Sequence, residues 1–373
     1  MNSSSRIPPL VQPYVKLPRD DSLLLLTSTL GASANWLLTR FLCDALSNHT
    51  QDGGADEGHN VVLVSWMRDY DFWKQEARKG AGLDLERLKR EKRLAFVDGL
   101  SGLVMGDGTG AQTQQSQAQR PQQPQTGLHP ARLTKEIDPP QRPGQILPAR
   151  GPPGRTLPAR GPSAPTAQPA RPTSNTIASS TTPQTRASQS TGHYTLTSLD
   201  LAHLRTTLTS AISALTSTTT SAPRKTLVIL DTPDVLLTLS STPSAAFTSL
   251  LLQLHNTPTV SHVLTHLHAD TPLLSPSSPA QPLEISQFNL VTKVAHMSRR
   301  VMEVRVLDTG VARDVSGVVR VTEQSVGWEG LGLEEEDGRQ RDANDSGKGK
   351  EFLYRVKGDG SVKVFERGAG GEG

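Results

Sequence analysis

The sequence predicts an α/β protein: a mostly parallel sheet flanked by helices, with antiparallel strands added at the C-terminal end. Three observations carry this. Short, wholly apolar runs recur at 23–26, 61–64, 94–97 and 227–230, and continuous apolarity fits strands covered on both faces. Segments of helical periodicity separate them, as in βα units. Beyond residue 300 the pattern changes to apolar–polar alternation, which fits strands with one face toward water.

In chain order, 23–26 is the first strand and 33–47 the first helix, with Trp36, Leu37, Phe41, Cys43 and Leu46 near one broad side. A glycine- and acid-rich loop follows at 51–60. VVLVSW (61–66) is the second strand, 69–80 a helix stopping at Gly80 or Gly82, 83–93 a second short helix, and 94–100 the third strand. Thr197 and Asp200 resemble a capping box, and Leu201, Leu204, Leu208, Ile212 and Leu215 recur at helical spacing over 198–216. A fourth strand at 226–231 ends in Asp231. A helix at 244–256, a strand within 259–270 and a helix at 283–297 follow. The runs 300–308, 315–323, 351–357 and 361–367 are the antiparallel set, the last two joined by Gly358-Asp359-Gly360, a hairpin signal.

Residues 106–192 interrupt this order. They are rich in Gln, Pro, Ser, Thr, Ala and Arg and contain no Phe, Tyr or Trp. Such a stretch buries too little apolar surface to offset its ordering entropy, so it is expected to be a disordered insertion. About 286 of the 373 residues remain, enough for one discontinuous domain, 1–105 with 193–370. The insertion holds nine basic and three acidic residues, so with a total of +3 the rest of the chain is about −3. The basic character therefore belongs to the insertion, read as a solvated spacer. The acidic, glycine-rich 329–350 is expected to be a mobile loop. One cysteine, Cys43, excludes an intramolecular disulfide framework and a cysteine-rich zinc site. No signal-peptide run opens the sequence and no stretch reaches 18 uninterrupted apolar residues. The chain is expected in the cytoplasm, with the nucleus as a second compartment, and without a membrane partner.

The turn after the first strand has the layout of a phosphate-binding loop: strand, small-residue turn, helix. A working loop reads G-x-x-x-x-G-K-[ST], with its lysine on the outer phosphates. Here Gly31, Ala32, Ser33, Ala34 and Asn35 fill the turn, and no lysine falls between Lys16 and Lys74. The turn is read as degenerate, with no cofactor, no metal and no catalytic residue assigned. Asp231 would stand near magnesium in an intact nucleotide site; alone it is read as a strand-end residue. Asp98, before Gly99, is read as a turn residue. His255, His262, His266 and His268 crowd together without a cysteine or H-E-x-x-H pattern, so zinc is not expected. On a strand, 262, 266 and 268 share a face. Spacing assigns no Ser-His-Asp arrangement.

Two segments stay open between structure and binding. Trp66, Tyr70, Phe72 and Trp73 place four of the fifteen aromatics within eight residues; with Arg68 they either pack a helix on the sheet or anchor a subunit interface. Arg87, Lys89, Arg90, Lys92 and Arg93 are a solvated helix face or phosphate contacts.

The stretch VVLVSWMRDYDFWKQEARKGAGLDLERL, followed by LAFVDGLSGL, resembles the Elongator complex protein 6 family, as do TSTLGASANWLL, TLVILDTPDVLL and SGVVRVT. The resemblance spans roughly 20–105 and 193–325. It implies a RecA-like (phosphate-loop NTPase-like) fold without an intact ATP site. It implies a non-catalytic subunit that forms a hetero-hexameric ring with the fourth and fifth Elongator subunits. That ring binds tRNA and serves the complex that modifies wobble uridine, whose chemistry lies in another subunit. Two alternatives are a divergent ATPase with its lysine supplied from elsewhere, and a scaffold acting through the insertion.

Overall fold

The computed structural model describes residues 7–46, 58–104, 192–217, 224–240, 242–275, 277–310, 312, 314–324 and 349–367. Apart from their last one or two residues, the insertion at 106–192 and the loop at 329–350 lie outside this set.

The described residues form one ten-stranded sheet with ten strands in the order β10-β9-β8-β7-β1-β6-β5-β2-β3-β4. In chain order the elements are α1 (Gln12–Val15), β1 (Ser22–Ser28), α2 (Asn35–Leu46), β2 (Asn60–Ser65), α3 (Tyr70–Glu76), α4 (Leu85–Arg90), β3 (Leu94–Asp98), α5 (Ser101–Val104) and β4 (His193–Thr195). Then come α6 (Leu201–Thr216), β5 (Thr226–Asp231), α7 (Val235–Leu239), α8 (Ser244–His255), β6 (Val260–His268), α9 (Thr271–Leu274), α10 (Pro282–Met297), β7 (Arg300–Arg305), β8 (Gly317–Glu323), β9 (Lys350–Val356) and β10 (Val362–Glu366). β7 through β4 run parallel; β8, β9 and β10 are antiparallel. The predicted mostly parallel sheet with C-terminal antiparallel strands is the observed fold.

Alternation along each parallel strand splits the core in two. Leu24, Leu26, Leu63, Ile229 and Leu264 join the cluster beneath α1, α2, α3 and α4. Leu23, Leu25, Val64, Leu230 and Val263 join the cluster beneath α6, α7, α8 and α10. The antiparallel strands contribute Val319, Val321, Phe352 and Tyr354 to the first cluster only. This is why their sequence alternates and that of β1 does not.

Several expectations change. The stretch 300–308 reads as antiparallel, but β7 is parallel to β1 and antiparallel only to β8. Its alternating burial marks the junction of two-sided and one-sided cover. The helix at 69–80 is α3 followed by one π-helical turn, Ala77–Ala81, ended by left-handed Gly82. Asp200 is itself the N-cap of α6, accepting from the Ala202 N–H, and not the acidic half of a box with Thr197. The box lies at α10, between Gln281 and Glu284. Helix α2, the segment expected at 33–47, buries ten of its twelve residues, Cys43 among them, so burial is not confined to one side.

Arg40, in α2, holds the π turn. It is 1 % exposed. Its Nη1 donates to the Gly80 carbonyl at 2.6 Å and its Nη2 to the Gly360 carbonyl at 3.3 Å. One guanidinium thus ties the π turn to the β9–β10 hairpin. A Cβ on Gly80 would lie 3.1 Å from Nη1, and one on Gly360 3.0 Å from Lys79; Gly360 also needs its φ of +79°. Arg40→Met keeps the stem and leaves two partly buried carbonyl acceptors without their donor. The expected loss is about 2–3 kcal/mol, read as a lower urea midpoint.

Candidate functional site

The C-terminal edge of the parallel strands gathers the chemistry-bearing residues. Ser28, Ser65, Asp231 and His266 end or nearly end β1, β2, β5 and β6, and parallel pairing brings them into one row. The Ser28 hydroxyl and His266 Nε2 lie 2.9 Å apart. His266 Nδ1 is 2.8 Å from Asp231 Oδ1. The Ser65 hydroxyl donates to Asp231 Oδ2 at 2.8 Å, and Arg68 Nη1 reaches the same oxygen at 3.3 Å. The row is buried: Ser28 is 4 % exposed, His266 1 % and Asp231 0 %. Burial by itself would raise the Asp231 pKa, but the His266 hydrogen bond and charge, Arg68 and Ser65 outweigh it and hold the carboxyl below its ordinary value.

A Ser–His–Asp chain is therefore present, although the residues lie 35 and 238 positions apart. No local spacing could have revealed it, because only the β1–β6–β5 order makes the three adjacent. Its burial gives it the character of a sheet-edge lock that uses up the oxygens of Asp231, the residue expected to stand near a metal in an intact nucleotide site.

A second carboxylate row lies beside it. Asp234 Oδ2 accepts from the His268 backbone N–H at 3.1 Å and from Gln287 Nε2 at 3.3 Å, and His268 Nδ1 lies 2.9 Å away. The hydrogen bond to Asp234 raises the His268 pKa. Between the rows Thr232 adopts φ +59°, a strained conformation for a β-branched residue. Its N–H bonds the His266 carbonyl at 3.0 Å and its hydroxyl the Asp231 carbonyl at 2.7 Å.

The β1–α2 turn is closed on itself. The Ala32 N–H donates to the Thr29 carbonyl at 2.9 Å, and Gly31 holds φ +87°. The Leu30 N–H donates to Asp270 Oδ1 at 2.6 Å. A carboxylate of the chain itself thus occupies a backbone donor of the turn. Ala32 and Ala34 are buried, Gly31 and Ser33 exposed, and Asn35 opens α2 half-buried. The Leu30 side chain is 86 % exposed at the tip.

The histidines separate. His266 and His268 stand together, ring centroids 5.8 Å apart. His262 lies at the opposite end of β6, 5.9 Å from His59; His255 ends α8. No group of three or more potential metal ligands occurs among the described residues.

Of the aromatic segment, Trp66 and Trp73 are fully buried in opposite core clusters, and Tyr70 packs on Phe96 and His193. Arg68 and Phe72 reach a surface pocket of 390 Å³, lined also by Met67, Asp69, Asp98, Leu100 and Ser101. Arg68 lies 5.4 Å from the Phe72 ring centre. Asp98, read as a turn residue, accepts from the Leu100 and Ser101 N–H groups at 3.0 and 2.8 Å.

The basic run does not form one face. Arg93 is buried and donates to the His59 carbonyl. Lys89 lies over the Tyr70 ring at 4.3 Å and pairs with Glu86. Lys92 is half-buried with φ +54°. Arg87 and Arg90 are exposed, Arg87 pairing with Glu91.

No helix among the described residues is long and apolar enough to cross a membrane. No protein-family model and no curated protein matches the sequence. Among solved structures, the chain is similar to a KaiC-like protein of the archaeon Pyrococcus horikoshii, with 10 % identity over 93 % of this chain and 90 % of that one, and a TM-score of 0.42.

Proposed function

We propose that the chain is a non-catalytic, RecA-like subunit of a ring-shaped assembly, the Elongator accessory subcomplex that supports tRNA wobble-uridine modification. The sequence resemblance suggests the assembly. The observation that supports the non-catalytic role is the β1–α2 turn. It lacks the lysine, one of its backbone donors is held by Asp270, and the neighbouring Asp231 is enclosed by His266, Ser65 and Arg68. A phosphate brought there would meet a carboxylate where a cradle offers free N–H groups. In this reading the strand edge serves as architecture, with exposed Leu30 and Met67 available to a neighbouring subunit. The fourth and fifth Elongator subunits are the neighbours, the catalytic core is the client, and tRNA is held by the complete ring.

Affinity purification of the tagged chain, followed by mass measurement of the intact assembly, tests this. The expected result is a hetero-hexamer that binds tRNA, while the chain alone binds weakly and does not turn over ATP. Strong tRNA binding by the monomer, unchanged when the partners are added, would contradict it. ATP turnover by the chain alone that disappears in Asp231→Asn would favour the divergent-ATPase alternative.

A further inference from the structure

We infer that the pocket between the β2–α3 and β3–α5 connections receives an arginine side chain from a partner protein. Its Met67 is one of the side chains offered above to a neighbouring subunit, and the inference holds for any assembly the chain joins.

The pocket has apolar walls and an unmatched negative charge. Met67, Phe72 and Leu100 supply the walls, and Met67 is 54 % exposed. Its charged lining is Arg68, Asp69 and Asp98. The one cation is already committed, because Arg68 pairs with buried Asp231 and lies over the Phe72 ring. Neither carboxylate pairs with a lysine or arginine among the described residues; His193, whose pKa burial lowers, feels the charge of Asp98. Each spends one oxygen on the backbone: Asp69 Oδ1 accepts from the Phe72 N–H at 2.8 Å, and Asp98 Oδ1 accepts from the Leu100 and Ser101 N–H groups. The other oxygen of each makes no hydrogen bond among the described residues. Asp98 is moreover only 7 % exposed, so a cation beside it is screened less by water than one at an exposed carboxylate.

An arginine fits this set. Its planar guanidinium carries five donors and can serve two carboxylates, and its three-methylene stem can lie along Met67 and Leu100. A phosphate or other anion is disfavoured by the two aspartates. A bare metal ion is disfavoured by the apolar walls. The pocket volume of 390 Å³ accommodates one long side chain with part of its backbone, which a protein loop supplies and a small free cation does not.

The test uses the full chain with isotope-labelled methionine methyl groups, Met67 being assigned from Met67→Leu. Three probes are titrated: a capped peptide with a central arginine, the same peptide with citrulline, and spermidine. The expected result is a saturable Met67 shift with the arginine peptide and binding about tenfold or more weaker with the neutral citrulline peptide. Spermidine is expected to be the weaker cation. In Asp69→Asn/Asp98→Asn the arginine shift should disappear while the melting temperature is kept, because asparagine caps as well as aspartate does. Equal binding of arginine and citrulline peptides would overturn the inference, as would no Met67 shift with any probe. Tighter binding of spermidine than of the arginine peptide would overturn the protein source. The citrulline comparison is made on the unmutated chain and so stands even if the double variant unfolds.

Discussion

His266→Leu is expected to cost about 3–5 kcal/mol of folding stability, because it leaves a buried carboxylate short of its main partner. Asp231 is 0 % exposed. With the imidazole gone it keeps the Ser65 hydroxyl at 2.8 Å and Arg68 at 3.3 Å. The Ser28 hydroxyl loses its imidazole as well. The effect should appear as a fall in urea midpoint with an unchanged slope. The double variant Asp231→Leu/His266→Leu removes both ends of the pair and should be less damaging than the two single changes summed, with a coupling of about 1–3 kcal/mol. Additive single effects would mean that the row has no energetic role of its own.

Acidification is expected to weaken the fold well before its carboxylates titrate, through His262. The ring is 2 % exposed, and neither nitrogen makes a hydrogen bond of good geometry, although the Pro18 and Asp20 carbonyls lie near. Burial, with the adjacent His59 adding repulsion, pushes its pKa down to about 4 from 6.5; Asp21 acts in the opposite sense. Because the folded value is the lower one, the unfolded chain binds the proton first. Stability therefore falls as pH drops from 6.5 to about 4. A shift of this size is worth about 3 kcal/mol once complete. Asp231 acts in a separate window: its depressed carboxyl contributes stability that is lost only below its ordinary 3.8. His268 has the opposite sign. Its raised pKa contributes in acid and is lost as pH rises through the folded value, above 6.5. Urea denaturation as a function of pH should therefore show a decline between 6.5 and 4 that is flattened in His262→Phe. An identical decline in both proteins would remove His262 as the cause.

Much of the fold is legible from periodicity alone. The strand at 226–231 is β5, residue for residue. The Gly358-Asp359-Gly360 turn joins β9 and β10, with the Lys357 N–H on the Ser361 carbonyl at 2.9 Å. The short pieces are not legible: α1, α5, α9 and three-residue β4 carry too few residues for a period to emerge. Nor is the direction of β7, since alternation reports how a strand is covered and not which way its neighbours run.

The sequence by itself determined the mostly parallel α/β sheet, the one-sided antiparallel extension and the loss of the lysine from the β1–α2 turn, because these depend on apolar pattern and residue type along the chain. The tertiary structure alone decided what stands at the strand edge. It joined Ser28, His266 and Asp231, set Asp270 on the Leu30 N–H, buried Arg93 and laid Lys89 over the Tyr70 ring, and placed Asp69 and Asp98 beside Met67. The reason is physical: hydrogen bonds and ion pairs depend on a few ångströms of separation, and in a parallel sheet strand order sets that separation between residues far apart in the chain.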